Sequence, residues 1–192
     1  MITTVSSPPS PPSRPRPATG TTRRAVLATR LGDLTLVLEE DRPGDAVVTG
    51  LYFPGHWTRP DRATKGEPVA AQDHPLARRA AQQLADYLDG RRRGFDLPLR
   101  LDGSPLHRAV WRLLEEIPYG ATTTYGALAA QVGAPAQAVG QAVGANPVSV
   151  VVPCHRVLGA DGSLTGYAGG LGRKRALLAI EEPDPATRGT LF

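Results

Sequence analysis

The spacing of apolar and polar positions changes period near residue 73. Before that point, residues 25–29 and 34–38 are short runs rich in Leu, Val, Ala and Thr, separated by Gly32 and Asp33. That pattern predicts two strands joined by a turn. Residues 47–53 read as a third strand, ended by Pro54 and Gly55, and a loop rich in charge, Pro and Gly follows over 55–72. From residue 73 onward, Leu76, Ala80, Leu84, Tyr87 and Leu88 recur at helical spacing and share one face. Asp73 is the expected N-cap, Pro75 suits an early helical position, and Gly90 is the stop. Residues 95–101 return to an extended pattern. This first unit predicts a small antiparallel sheet with one helix, and no catalytic constellation falls within it.

The second half reads as mostly helical. Ser104 can cap a helix with Pro105 at its first position, and Leu106, Val110, Leu113, Leu114 and Ile117 form its apolar stripe. Tyr119 and Gly120 break it. One of Thr122, Thr123 and Thr124 caps the next helix, which holds residues 127–132. Residues 133–135 (Gly-Ala-Pro) form a turn, and a third helix covers 136–144. Two short helices joined by a glycine-containing turn form the outline of a helix-turn-helix, although many helical hairpins are only packing units. Four valines, interrupted only by Ser149, then lead from Val148 through Val152 into Pro-Cys-His-Arg at 153–156. A loop over 159–170 precedes a last helix with Leu171, Ala176, Leu177, Leu178 and Ile180, ended by Glu181 and Glu182. The expected organisation is a Pro/Ser-rich disordered tail (1–20), an N-terminal α/β domain (21–103), a C-terminal domain (104–183) and a polar tail (184–192). The fold class is α/β, of the α+β kind.

Composition sets limits. The 192 residues suffice to bury a sizeable core. No apolar run reaches the ~20 residues that span a bilayer, and the Ser/Pro/Arg-rich start lacks the apolar stretch of a secretory signal. A cytoplasmic protein without membrane contact is expected. Of the net charge of +4, the first 24 residues carry four arginines and no acid, and residues 105–180 hold six basic against three acidic residues. The basic C-terminal half permits contact with nucleic acid without demanding it. Cys154 is the chain's one cysteine, which excludes an intrachain disulfide and a cysteine-rich zinc site.

A lone cysteine is most often a small buried hydrophobe. Here Pro153 forces the chain to turn at the cysteine, and His155 and Arg156 make the local field positive. A thiol with an ordinary pKa near ~8.5 needs such help to act as a nucleophile. Neighbours on an extended segment point to opposite sides, so contact between Cys154 and His155 requires a turn or an intervening water. The Gly-Gly-Leu-Gly-Arg-Lys run at 169–174 lacks phosphate-loop spacing and is set aside.

Pro-Cys-His-Arg-Val at 153–157, with Asn146-Pro147 upstream, resembles the active-site signature of the O6-alkylguanine-DNA alkyltransferases, the methylated-DNA–protein-cysteine methyltransferases. The resemblance covers nearly the whole chain after the tail. It includes residues 51–57, Ala-Val-Trp-Arg-Leu-Leu at 109–114, Ile-Pro-Tyr-Gly at 117–120, Tyr125, and residues 162–170 with their Gly-Tyr-Ala-Gly-Gly.

The resemblance implies a protein that binds double-stranded DNA and flips out an O6-alkylguanine. The alkyl group then moves irreversibly to Cys154, once per chain, with no cofactor and no metal. O4-alkylthymine stays open as a second substrate, and a monomer is expected. By the same resemblance, His155 takes the thiol proton through a water, and Glu181, 27 residues after Cys154, orients His155. Asn146 bridges the DNA-binding helix and the cysteine loop. Tyr125 contacts the flipped guanine and Tyr167 walls the pocket. The backbone groups of Cys154, Val157 and Ala168 read the guanine edge, and Arg156 ties the site together.

By the same resemblance, Gln137, Ala138 and Gly140 fall on the family's DNA-contacting helix. Gln137 stands where the family usually carries an arginine that replaces the flipped base, and the turn before it is about two residues shorter than usual. His107 occupies a position where the family often has glutamine, and no role is assigned to it. The alternatives are a non-catalytic helix-turn-helix lesion sensor or regulator, against which Cys154 itself argues, and a Cys-His hydrolase, which would turn over.

Overall fold

The computed structural model describes residues 20–182 apart from 43 and 57–65. The two expected tails, residue 57 of the family resemblance and much of the 55–72 loop lie outside the described residues. Three long strands, β1 (Thr21–Leu27), β2 (Leu34–Glu40) and β3 (Ala46–Tyr52), form the expected antiparallel sheet. Alternation places Leu34, Leu36 and Leu38 in the core, while Val37 packs with Tyr52 in a separate small cluster. A two-residue strand, β4 (Glu67–Pro68), adds parallel to β1, giving the order β3-β2-β1-β4. Its two residues are too few to carry a periodic signal in sequence.

Helix α1 (Pro75–Leu88) buries Leu76, Ala77, Ala80, Gln83, Leu84, Tyr87 and Leu88. Its cap is His74, whose Nδ1 accepts the Ala77 N–H at 3.4 Å. The expected cap, Asp73, instead ends a short 3-10 turn. Pro75 decides this, since proline is suited to the first helical position and the cap is the residue immediately before it. The extended segment that follows lies beside β3, with Val48 N–H donating to Pro98 O (2.8 Å) and Arg100 N–H to Val48 O (3.0 Å).

Helix α2 (Pro105–Glu115) starts at Ser104, whose Oγ accepts the His107 N–H at 3.2 Å. Thr124 likewise caps α3 (Tyr125–Val132), which ends at Gly133 in the left-handed region (φ 66°). Helix α4 (Ala136–Gly144) follows two residues later, so α3, the turn and α4 form the helix-turn-helix. Trp111 Nε1 donates to Ala142 O (2.8 Å) and fastens α2 to α4.

Strands β5 (Thr123–Thr124) and β6 (Val157–Leu158) pair in parallel, and α5 (Leu171–Glu181) closes the described chain. One buried apolar cluster runs from Ala25 and Leu36 through Tyr87 and Trp111 to Leu177, joining the two halves. Among the described residues no helix is long and apolar enough to cross a membrane.

Candidate active site around Cys154

The apolar run before the cysteine is not a plain extended segment. Val148 bridges to Leu51, with Leu51 N–H donating to Pro147 O (2.8 Å) and Ser149 N–H to Leu51 O (2.9 Å). The chain then turns sharply, with Val152 N–H reaching back to Val148 O (3.0 Å) and Val150 at φ 72°. That region costs a β-branched residue of order 1–3 kcal/mol, and complete burial of Val150 within the core holds it there. Pro153 then leads into a 3-10 turn, Cys154–Arg156. All three of its side chains are buried.

Asn146, at the end of α4, organises the turn. Its Nδ2 donates to Val152 O (2.8 Å) and to Cys154 Sγ (3.1 Å), while its Oδ1 accepts the Val148 N–H (3.0 Å). The end of α4 is thus tied through one side chain to the sulfur.

Behind the cysteine, Glu181 collects five hydrogen bonds among the described residues. Oε1 accepts from His155 Nε2 (2.6 Å), Arg156 Nη2 (3.1 Å) and the Tyr87 hydroxyl. Oε2 accepts from Arg156 Nε (2.9 Å) and the Gly120 N–H (3.0 Å). Gly120 sits at φ 76°, and a Cβ there would lie 2.9 Å from Glu181 O, so glycine permits this approach. Arg156 Nη1 donates to Ile117 O (2.5 Å), so each of the three guanidinium nitrogens ties the turn, two to α5 and one to the segment just after α2.

Burial of Glu181 works to raise its pKa. The hydrogen bonds from His155, Arg156 and Tyr87 outweigh it and hold the carboxyl at about 2. An ionised Glu181 requires the shared proton on His155 Nε2, which leaves the Nδ1 lone pair free to accept. Nδ1 is buried and has no protein partner among the described residues. Burial also lowers the His155 pKa, against the pull of Glu181, so the imidazole is neutral. Cys154 is pushed up to about 11 by burial, partly offset by the Asn146 hydrogen bond and the Lys174 charge. The resting group is therefore a thiol, beside a base with an open acceptor.

The expected pocket residues Tyr125 and Tyr167 both lie within electrostatic reach of Cys154. The Tyr125 hydroxyl donates to Thr165 O and Gly166 O, both at 3.2 Å. Tyr167 packs edge-on against Phe53, with ring centroids 6.4 Å apart, and its buried hydroxyl has no partner among the described residues. Ala168 follows it, half-buried. Val157 N–H already donates to Cys154 O, and Val157 O accepts from Lys174, so each carbonyl offers only its second lone pair to a ligand. A cleft of about 570 Å³ touches Pro153 and Arg156 from behind, among Arg93, Phe95, Tyr119 and Val150, but does not include Cys154.

On α4, Gln137 is exposed in the first turn and Ala138 and Gly140 are partly exposed. A Cβ at Gly140 would lie 3.9 Å from the Tyr125 ring, so the helix start adjoins the pocket. His107 stacks on Trp111, with centroids 5.4 Å apart.

Two residues that sequence reasoning passed over belong to the site. Lys174 is completely buried and donates to Val157 O (2.6 Å), Thr165 O (2.7 Å) and Gly166 O (3.4 Å). Burial lowers it to about 8. Its signal was its spacing, because Lys174, Leu177 and Glu181 share the buried face of α5. Tyr87 is the other. It counted only as an apolar member of the α1 stripe.

Fold and site together define a class: a helix-turn-helix protein whose buried cysteine is followed in one turn by a histidine bonded to an ionised glutamate. The family model described as "6-O-methylguanine DNA methyltransferase, DNA binding domain" matches residues 105–183. The methylated-DNA–protein-cysteine methyltransferase of Mycolicibacterium paratuberculosis is 49% identical over 158 residues, covering 77% of this chain and 88% of that one. The inducible enzyme of Bacillus subtilis is 40% identical over 146 residues, covering 71% and 82%. The crystal structure of Mycobacterium tuberculosis OGT in complex with DNA is similar at a TM-score of 0.71 and 40% identity, covering 83% of this chain and 92% of that one. The chain belongs to the methylated-DNA–protein-cysteine methyltransferase family.

Proposed function

We propose that this protein repairs DNA by direct reversal in the cytoplasm. It binds duplex DNA, flips an O6-alkylguanine into the pocket beside Cys154, and transfers the alkyl group to the sulfur. The observation that carries this reading is the buried Cys154 sulfur, held by Asn146, beside a neutral imidazole whose other nitrogen is fixed on Glu181. The thiol proton passes to His155 Nδ1 through a bridging water. The thiolate attacks the alkyl carbon, the S–C bond forms and the C–O6 bond breaks. The electron pair stays on guanine, which recovers its N1 proton from the imidazolium. A thioether has no leaving group under these conditions, so each chain reacts once.

Lys174 and Tyr125 converge on Thr165 O and Gly166 O and hold the pocket loop against the cysteine turn. Gln137, Ala138 and Gly140 face the duplex from α4, within a C-terminal unit of residues 104–183. Incubation with O6-methylguanine duplex and intact-protein mass measurement tests the assignment. One methyl added per chain, on Cys154, is the expected result. Binding without any mass gain would leave a lesion sensor, and repeated turnover a hydrolase.

A further inference from the structure

Tyr87 reaches the site from outside the residues that carry the rest of it. It lies on α1, before the 105–183 segment, and its ring is fully buried. The ring packs against Phe95 (centroids 4.9 Å apart) and edge-on against Tyr119 (5.9 Å). Packing alone would be served by phenylalanine. The hydroxyl, however, donates to Glu181 Oε1 and lies 3.3 Å from His155 Nε2.

That oxygen already serves His155 and Arg156. Each further donor disperses the carboxylate charge and weakens its hold on a proton at the imidazole. The groups acting on His155 are Glu181 and Lys174 from α5, Tyr87 from α1, and Arg156 from its own turn. Of these, only the Glu181 carboxylate favours an imidazolium while Cys154 rests as a thiol. An imidazolium would carry a proton on Nδ1 and could not accept the thiol's.

We propose that Tyr87 is a positioning residue for alkyl transfer: its hydroxyl on Glu181 Oε1 holds His155 as the neutral Nε2–H tautomer, with Nδ1 open to accept a proton. The N-terminal half thereby completes the chemistry of the C-terminal half. This rests on the alkyl-transfer reading above.

The test is Tyr87→Phe in the full chain, which keeps the ring's packing and removes the donor. Two measurements apply. The first is the rate of transfer from free O6-benzylguanine against pH, which involves no DNA binding. The acidic limb should move upward by about one pH unit, the scale set by one hydrogen bond to a charged group. A rate lowered equally at all pH values, with the limb unmoved, would show a structural role and overturn the proposal. The second is nitrogen NMR of the His155 ring. In the native protein it should show the proton on Nε2, and in Tyr87→Phe a raised imidazole pKa. A proton on Nδ1 in the native protein overturns the proposal even if the variant fails to fold. Should the native protein transfer no alkyl group at all, the alkyl-transfer reading fails, while the NMR result still decides what Tyr87 does to His155.

Discussion

Replacing Glu181 with glutamine removes the charge on which the buried network converges. The native carboxyl is held at about 2 against an ordinary value of 4.5. That difference corresponds to roughly 3 kcal/mol of stability at neutral pH. The figure agrees with the ~3–5 kcal/mol measured when one partner of a buried ion pair is deleted. In Glu181→Gln the Arg156 guanidinium stays buried without its counter-charge, and the amide N–H₂ faces other donors. The sign follows from the depressed pKa. The contribution is fully present above pH ~4.5, where the unfolded carboxyl is also ionised, and it is lost as pH falls through about 2. Urea denaturation of both proteins across this range checks it. Glu181→Gln should be about 3 kcal/mol less stable at pH 7, and less than about half of that gap should survive at pH 3. A gap that is the same at pH 7 and pH 3 would refute the electrostatic account and leave altered packing as its source.

Cys154→Ser should abolish methyl transfer, read by protein mass, and leave duplex affinity nearly unchanged, because phosphate contacts made elsewhere dominate binding. Lys174→Met removes three donors from Val157 O, Thr165 O and Gly166 O. It should slow transfer from both duplex DNA and free O6-benzylguanine and cost about 1.5–3 kcal/mol of stability in denaturant titrations. Gln137→Arg adds charge and stacking area at an exposed position of the helix start. It should speed transfer on duplex DNA and do much less for free O6-benzylguanine, which needs no flipping; equal rates on duplex would remove position 137 from the DNA contacts.

What was legible in the sequence was local. Ser104 before Pro105, the three threonines 122–124 before α3, and the Gly133–Pro135 turn marked the helix ends, because caps and turns act within a few residues. The family resemblance carried Cys154, His155, Asn146 and Glu181 as a set, and the fold brings those four together. The cap expected at Asp73 fell instead to His74, because Pro75 fixes the first helical position directly after it. Helical period shows which residues share a face but not what that face meets. Tyr87 therefore read as apolar until the fold set its hydroxyl on a carboxylate 94 residues away. Lys174 counted only as one of six basic residues in the C-terminal half, whereas the fold closes three carbonyls from two other segments around it. The turn at Val150 and the pairing of β4 with β1 depend on contacts distant in the chain, which no local preference of valine or proline encodes. The chemistry available to this chain is written in its residue types, whereas the protonation states that make it usable arise from burial and charge proximity, which exist only once the chain is folded.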